Sequence, residues 1–132
     1  MIRHFTASGI VISDDFGHVL LIEHRKLGCW LYPGGHIDAD EDPVQAVLRE
    51  VCEETGITCQ IIAEARFSHP AATVLAAPFT ICVQDIPGDA ATGPHQHIDM
   101  VYLYELFRLS IRPLQRRDSL EHGRAVAVQG CP

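Results

Sequence analysis

No apolar run in this 132-residue chain approaches the roughly 18 to 20 residues needed to cross a bilayer. Its start, Met1-Ile2-Arg3-His4-Phe5, lacks the apolar stretch of a secretory signal. Those absences argue against a membrane partner and set a cytoplasmic location as the expectation. Low-complexity tracts and internal repeats are missing too, and with 47% hydrophobic and 20% charged residues the chain should fold rather than stay disordered. Its length suits one domain. The cysteines (Cys29, Cys52, Cys59, Cys82, Cys131) are odd in number, scattered and never in a Cys-x-x-Cys pair, which argues against both a disulfide framework and a zinc site. Basic charge is scarce: 10 Lys and Arg face 17 Asp and Glu, for a formal charge of -7. Binding a phosphate backbone usually needs a basic surface, so a nucleic-acid polymer is not expected as ligand. An acidic protein that handles phosphates must recruit positive charge, and a divalent metal is the natural source.

What is present is mostly strand-like. Apolar, β-branched stretches at 5–12, 19–23, 57–67, 73–83 and 98–109 predict strands. Asp14-Asp15-Phe16-Gly17 has turn chemistry and joins the first two as a hairpin. One helix is predicted over 43–55, with Asp42 as its N-cap, Pro43 at the first helical position and Gly56 just past the end. A mixed sheet with one strong helix between strands implies an α/β or α+β sandwich.

On that helix Val44, Val47, Leu48, Val51 and Thr55 make one stripe that should pack on the sheet, and Glu50, Glu53 and Glu54 share an adjacent face. Three carboxylates at i, i+3, i+4 repel one another unless cations sit among them, and Arg49 can reach Glu53 without neutralising all three. Hard oxygen ligands in this pattern suit magnesium or manganese. Three glutamates alone would sooner read as a solvated acidic face, because charge runs usually face water.

The surrounding residues favour the metal. Gly35, five residues, Glu41, seven residues, then Arg49-Glu50-Val51-Cys52-Glu53-Glu54-Thr55-Gly56-Ile57 resembles the Nudix signature at every fixed position. Seven fixed identities arise by chance on the order of once in a billion starting positions if residues were equally used. The resemblance extends from 25 to 57, through Trp30-Leu31-Tyr32-Pro33-Gly34-Gly35, and with falling specificity to about Glu105. It implies an α/β/α sandwich with a mixed sheet, and hydrolysis of a diphosphate linkage in a nucleoside diphosphate joined to another moiety, with Mg2+ or Mn2+ as cofactor. It further implies Gly35, Glu50, Glu53 and Glu54 as metal ligands, Glu50 alternatively as the base, Arg49 as the group orienting Glu53, and Glu41 as a tether between loop and helix. Gly34 and Gly35 allow backbone to approach metal or phosphate.

Other residues admit two readings each. In an extended strand His95, His97 and Asp99 point to one side, either as a substrate-phosphate or accessory metal site facing the helix or as a polar sheet face in water. Trp30 and Tyr32 stack a base or belong to the core. His36 touches phosphate or sits at the rim. Cys52 packs rather than attacks.

The organisation expected is a Nudix domain over 1–107 and an atypical, arginine-rich, irregular segment over 108–132, which carries five arginines against two acids. The family's closing helix is not evident there, and a sheet face left bare by its loss would favour a homodimer. Two further readings stand beside the hydrolase: a catalytically idle domain that senses a nucleotide or nucleotide-sugar, and an interaction protein in which the box is a relic.

Overall fold

A computed structural model describes residues 1–13, 15–24, 28–88, 92–105 and 126–130. Among these lie eight strands and one helix. The strands are β1 (Arg3–Ile12), β2 (His18–His24), β3 (Cys29–Leu31), β4 (Gly34–His36), β5 (Gln60–Ile61), β6 (Thr80–Ile86), β7 (His95–Glu105) and β8 (Val126–Gly130), and the helix is α1 (Pro43–Thr55). All eight strands join one mixed sheet. Its centre is the parallel pair β1 and β7, in register from Arg3 opposite Gln96 to Ile12 opposite Glu105, while every other pairing is antiparallel.

The predicted hairpin forms: Ser13 N donates to His18 O at 3.0 Å, and Phe16 turns the chain with a positive φ of 55°. Asp15 supports the turn by accepting from Gly17 N at 2.9 Å. The helix has the predicted limits because its ends are fixed by local chemistry. Asp42 Oδ1 accepts from Val44 N at 2.8 Å and Gln45 N at 2.9 Å, and Gln45 Oε1 accepts in return from Asp42 N at 2.9 Å. Gly56 closes the helix at φ 70°, donating to Cys52 O, a conformation that costs glycine nothing.

The helix lies on the sheet face that carries Ala7, Val11, Tyr102 and Tyr104, which with Leu20, Ala46, Val47, Val51 and Cys59 form the core. Of the predicted stripe, Val47, Val51 and Thr55 are buried and Val44 and Leu48 partly so. Gly9 sets the spacing between layers. A Cβ there would come within 3.1 Å of Val47 Cγ2 and Val51 Cγ2, so its absence lets the helix sit close.

Two predicted strands shrink. Of 57–67 only Gln60–Ile61 pairs, and of 73–83 only the part from Thr80 onward, which continues to Ile86. Pro70 and Pro78 lie in the intervening stretch and lack the N–H a ladder requires. Between the two strands the one extra pairing among the described residues is a single bridge, His69 with Ala72. Of the arginine-rich segment, Val126–Gly130 forms a strand antiparallel to β2, and the predicted strand end and the expected place of a closing helix, 106–125, lie outside the described residues. No helix among the described residues is long and apolar enough to cross a membrane.

Candidate active site

The short strand β4 pairs with β1, placing Gly34 opposite Ser8, Gly35 opposite Ala7 and His36 opposite Thr6. Side chains alternate across a strand, so Gly35 shares the helix-bearing face with Ala7, and Gly34 and His36 share the other. A Cβ on Gly35 would collide with the Glu50 carboxylate, its Cδ 2.5 Å away. The backbone and that carboxylate meet only because the side chain is missing. At the neighbouring glycine, Gly34 N donates to Glu54 Oε2 at 3.1 Å, so the last box glutamate is tied back to the glycine turn.

Arg49 knits the remaining carboxylates together. Its Nε and Nη2 form a two-pronged pair with Glu41, at 2.6 and 2.9 Å, and its Nη1 donates to Glu50 Oε1 at 2.9 Å and Glu53 Oε2 at 3.2 Å. Nη2 also donates to the carbonyl of His36 at 3.1 Å, which joins helix to strand. Glu41 Oε2 accepts from Asp38 N at 3.2 Å, so it serves as the loop tether the resemblance implied. The hydrogen bonds from Arg49 hold the Glu41 carboxyl below the usual range, and the Glu41 and Glu50 carboxylates raise the Arg49 guanidinium above its ordinary value.

One guanidinium cannot balance Glu41, Glu50, Glu53 and Glu54, and the residual negative charge sits beside two glycines whose bare backbone lies close against Glu50 and Glu54. The donor set is all carboxylate and carbonyl oxygen, which fits magnesium or manganese. The structure brings Glu50, Glu53 and Arg49 together directly and places Glu54 against Gly34. Cys52 is exposed, not packed as the sequence led us to expect.

His95, His97 and Asp99 do lie on one side of β7, but that side is opposite the helix, not facing it as one of the two readings of the sequence had it. The parallel register sets Thr6 beside Asp99, and Asp99, 3% exposed, accepts from Thr6 Oγ1 at 3.0 Å and Ser8 Oγ at 2.9 Å. The helix occupies the face of Ala7 and Gly9, so β7's imidazoles are separated from the box carboxylates by the sheet itself. They gather two histidines that sequence reasoning had not grouped with them. His4 lies opposite His97, and His36 follows the glycine pair, so four rings pack with centroids 4.6 to 6.0 Å apart. Burial and the neighbouring imidazoles, His36 first, push the His97 ring below its usual pKa.

Tyr32 is half-buried, and burial together with the Asp99 carboxylate raises its phenol. Trp30 sits on β3 opposite Glu23, 45% exposed and so able to offer a ring face to a ligand.

A mixed sheet carrying a glycine turn, an acidic helix and an arginine that ties them together defines a Nudix-type domain. The chain belongs to that family: the NUDIX domain model matches residues 3–121. Among curated relatives it is 41% identical over 56 residues to a "MutT-like protein" of Streptomyces ambofaciens, covering 42% of this chain and 36% of that one. It is 33% identical over 81 residues to "Nucleoside diphosphate-linked moiety X motif 6" of Xenopus laevis, covering 57% and 37%. An "RNA pyrophosphohydrolase" of Methylococcus capsulatus is 39% identical over 54 residues, covering 41% and 28%. The chain thus spans well under half the length of these relatives. Among solved structures a NUDIX family hydrolase from Clostridium perfringens superposes with a TM-score of 0.69 at 23% identity, covering 98% of this chain and 83% of that one. The Ap4A hydrolase of C. elegans gives 0.53 at 21%, covering 96% and 80%. At such identities the likeness concerns the fold.

Proposed function

We propose that the chain is a divalent-metal-dependent hydrolase that splits the diphosphate linkage of a nucleoside diphosphate joined to another moiety. The observation that carries this reading is the Arg49 network, which holds Glu50 and Glu53 on one guanidinium beside Gly35 while Glu54 is tied to Gly34. Names among the relatives are compatible with that reading: an RNA pyrophosphohydrolase, an Ap4A hydrolase and a protein named for a nucleoside diphosphate-linked moiety.

Glu50, Glu53, Glu54 and the Gly35 carbonyl would hold Mg2+ or Mn2+. When bound, such a metal neutralises charge that develops on phosphoryl oxygens and makes water a better nucleophile. The chain's own groups do the rest. Arg49 fixes the directions of Glu50 and Glu53, and its link to the His36 carbonyl fixes the glycine turn against the helix. Water adds to one phosphorus as the bridging P–O bond breaks, and the leaving phosphate departs with the bond's electron pair. A box carboxylate takes the proton from the water, and Glu50 is the one for this role where Glu53, Glu54 and the Gly35 carbonyl hold the metal without it.

The test is release of phosphate or pyrophosphate from a panel of nucleotides, nucleotide-sugars and dinucleotides with Mg2+ or Mn2+. We expect metal-dependent turnover that Glu53→Gln and Glu54→Gln each abolish and that a chelator removes. No turnover across the panel by the folded native chain would overturn the proposal.

A further inference from the structure

The carboxylate side of the sheet accounts for the box, but the imidazole side has no part in that chemistry. Four histidines from three strands converge there: His4 on β1, His36 on β4, and His95 and His97 on β7. We propose that His4, His36 and His97 form a binding site for a borderline divalent transition metal of the zinc class, separate from the box carboxylates, with His95 beside them.

One ring nitrogen from each of the three lies within 4.8 Å of the others. Closer spacings within the cluster match a metal's coordination sphere. Within the proposed set His4 Nδ1 and His36 Nε2 are 3.3 Å apart, and beside it His95 Nε2 lies 3.1 Å from His97 Nε2. Zinc–nitrogen bonds of about 2.0 to 2.1 Å at tetrahedral angles separate neighbouring ligand nitrogens by roughly 3.3 Å. Any wider separation in the set, within 4.8 Å, closes by ring rotation, because His36 is exposed and His4 only half-buried.

The tautomer of one ring is fixed by its surroundings. His95 Nδ1 lies 2.8 Å from the Gly93 carbonyl, which can only accept, so Nδ1 carries the proton and Nε2 is left to accept from His97 Nε2, 3.1 Å away, which orients the His97 ring. Imidazoles that bind metals are commonly held this way, with the second nitrogen donating to a neighbouring acceptor. The nearby carboxylate of Asp99 is engaged by the hydroxyls of Thr6 and Ser8. The donor set is therefore nitrogen, which selects zinc, cobalt, nickel or copper over the magnesium and manganese that suit the box. The cysteine pattern argues against a thiolate site and leaves an imidazole site untouched. Such a metal would clamp β1, β4 and β7 together directly behind the glycine turn.

The experiment titrates Co2+ into the full-length chain, freed of any affinity tag, in the native form and in the Glu53→Gln/Glu54→Gln double variant, with no substrate present. We expect one equivalent of Co2+ to bind in both, with the visible absorption of nitrogen-ligated cobalt, to be displaced by Zn2+, and to raise the melting temperature. His36→Ala and His97→Gln, shown to be folded by circular dichroism, should each weaken binding by at least the roughly 10- to 100-fold that loss of an outer-sphere partner costs at metal sites. His36 is on the surface, so its removal tests the site without unfolding the chain. Absence of stoichiometric cobalt binding, or binding that both histidine variants leave unchanged, overturns the proposal. Hydrolysis is read separately through Mg2+-dependent turnover, so failure of either reading leaves the other standing.

Discussion

Gly34 and Gly35 are neighbours in one short strand, yet alanine at each should fail for a different reason. Neither glycine has a positive φ, so the backbone admits alanine at both and the outcome depends on what the new Cβ meets. At Gly34 it meets Ser8 Oγ, Ser8 Cα at 2.7 Å and Ala7 O at 2.8 Å, two of them backbone atoms of β1 or joined to it. These cannot yield without parting β4 from β1. Overpacking of this kind costs roughly 1 to 3 kcal/mol. For a chain of this size that lowers the melting temperature by roughly 3 to 15 °C. At Gly35 the Cβ meets only the end of the Glu50 side chain, which can swing aside. Stability should change by less than about 1 kcal/mol. The displaced carboxylate, however, leaves Arg49 Nη1, 2.9 Å away, and turnover should fall by about a hundredfold or more, the range of a lost general base. Thermal melts paired with the phosphate-release assay separate the two. Full turnover by Gly35→Ala, or a Gly34→Ala melt within a degree of native, would refute the reasoning.

Arg49→Lys keeps the charge but loses the planar fork that spans Glu41, Glu50, Glu53 and the His36 carbonyl. Steady-state kinetics should show kcat reduced roughly 10- to 100-fold, as when a group that orients metal ligands is lost. Tyr104 is fully buried and its hydroxyl has no hydrogen-bond partner among the described residues, so Tyr104→Phe removes a desolvated group without breaking a bond. Its denaturant midpoint should equal or exceed that of the native chain, and a clear drop would show that the hydroxyl is bonded. Burial pushes the Cys59 thiol up to about 11, so at neutral pH it stays protonated and enclosed while Cys29 and Cys52 are exposed. A thiol reagent followed by peptide mass mapping should modify Cys29 and Cys52 first and Cys59 only as the chain unfolds.

How much of this was legible in the sequence depends on the range over which each feature is decided. The helix limits were legible because Asp42, Pro43, Gln45 and Gly56 act within one turn of the ends they fix. The box residues were legible because their spacing along a loop and a helix is their spacing in space. Strand extent was not, since apolar stretches such as 57–67 become strands only where a partner offers a ladder, and β7 offers β5 two residues. The histidine cluster was half legible. The alternation at His95, His97 and Asp99 showed one polar side, but which side faced the helix, and that His4 joins it, follows from a parallel pairing between strands more than 90 residues apart, and His36 joins through the antiparallel pairing of β4 with β1. No local pattern encodes that register. The same parallel pairing makes Asp99 an acceptor for Thr6 and Ser8.

The three residues of β4 show how one strand serves two chemistries. Alternation sends the missing side chain of Gly35 toward Glu50 and that of Gly34 toward Ser8, while His36 reaches His4 and packs against His97. Oxygen ligands thus collect on the helix-bearing face and nitrogen ligands on the other, with Arg49 bonded at once to box carboxylates and to the carbonyl of His36. A one-residue slip of β4 against β1 would exchange the faces and put an imidazole where the Glu50 carboxylate now lies. The Glu50 carboxylate resists that slip, since His36 would then take the place of Gly35, where any Cβ strikes Glu50. Gly35 therefore does more than bring bare backbone against Glu50: it fixes the register on which both donor sets depend.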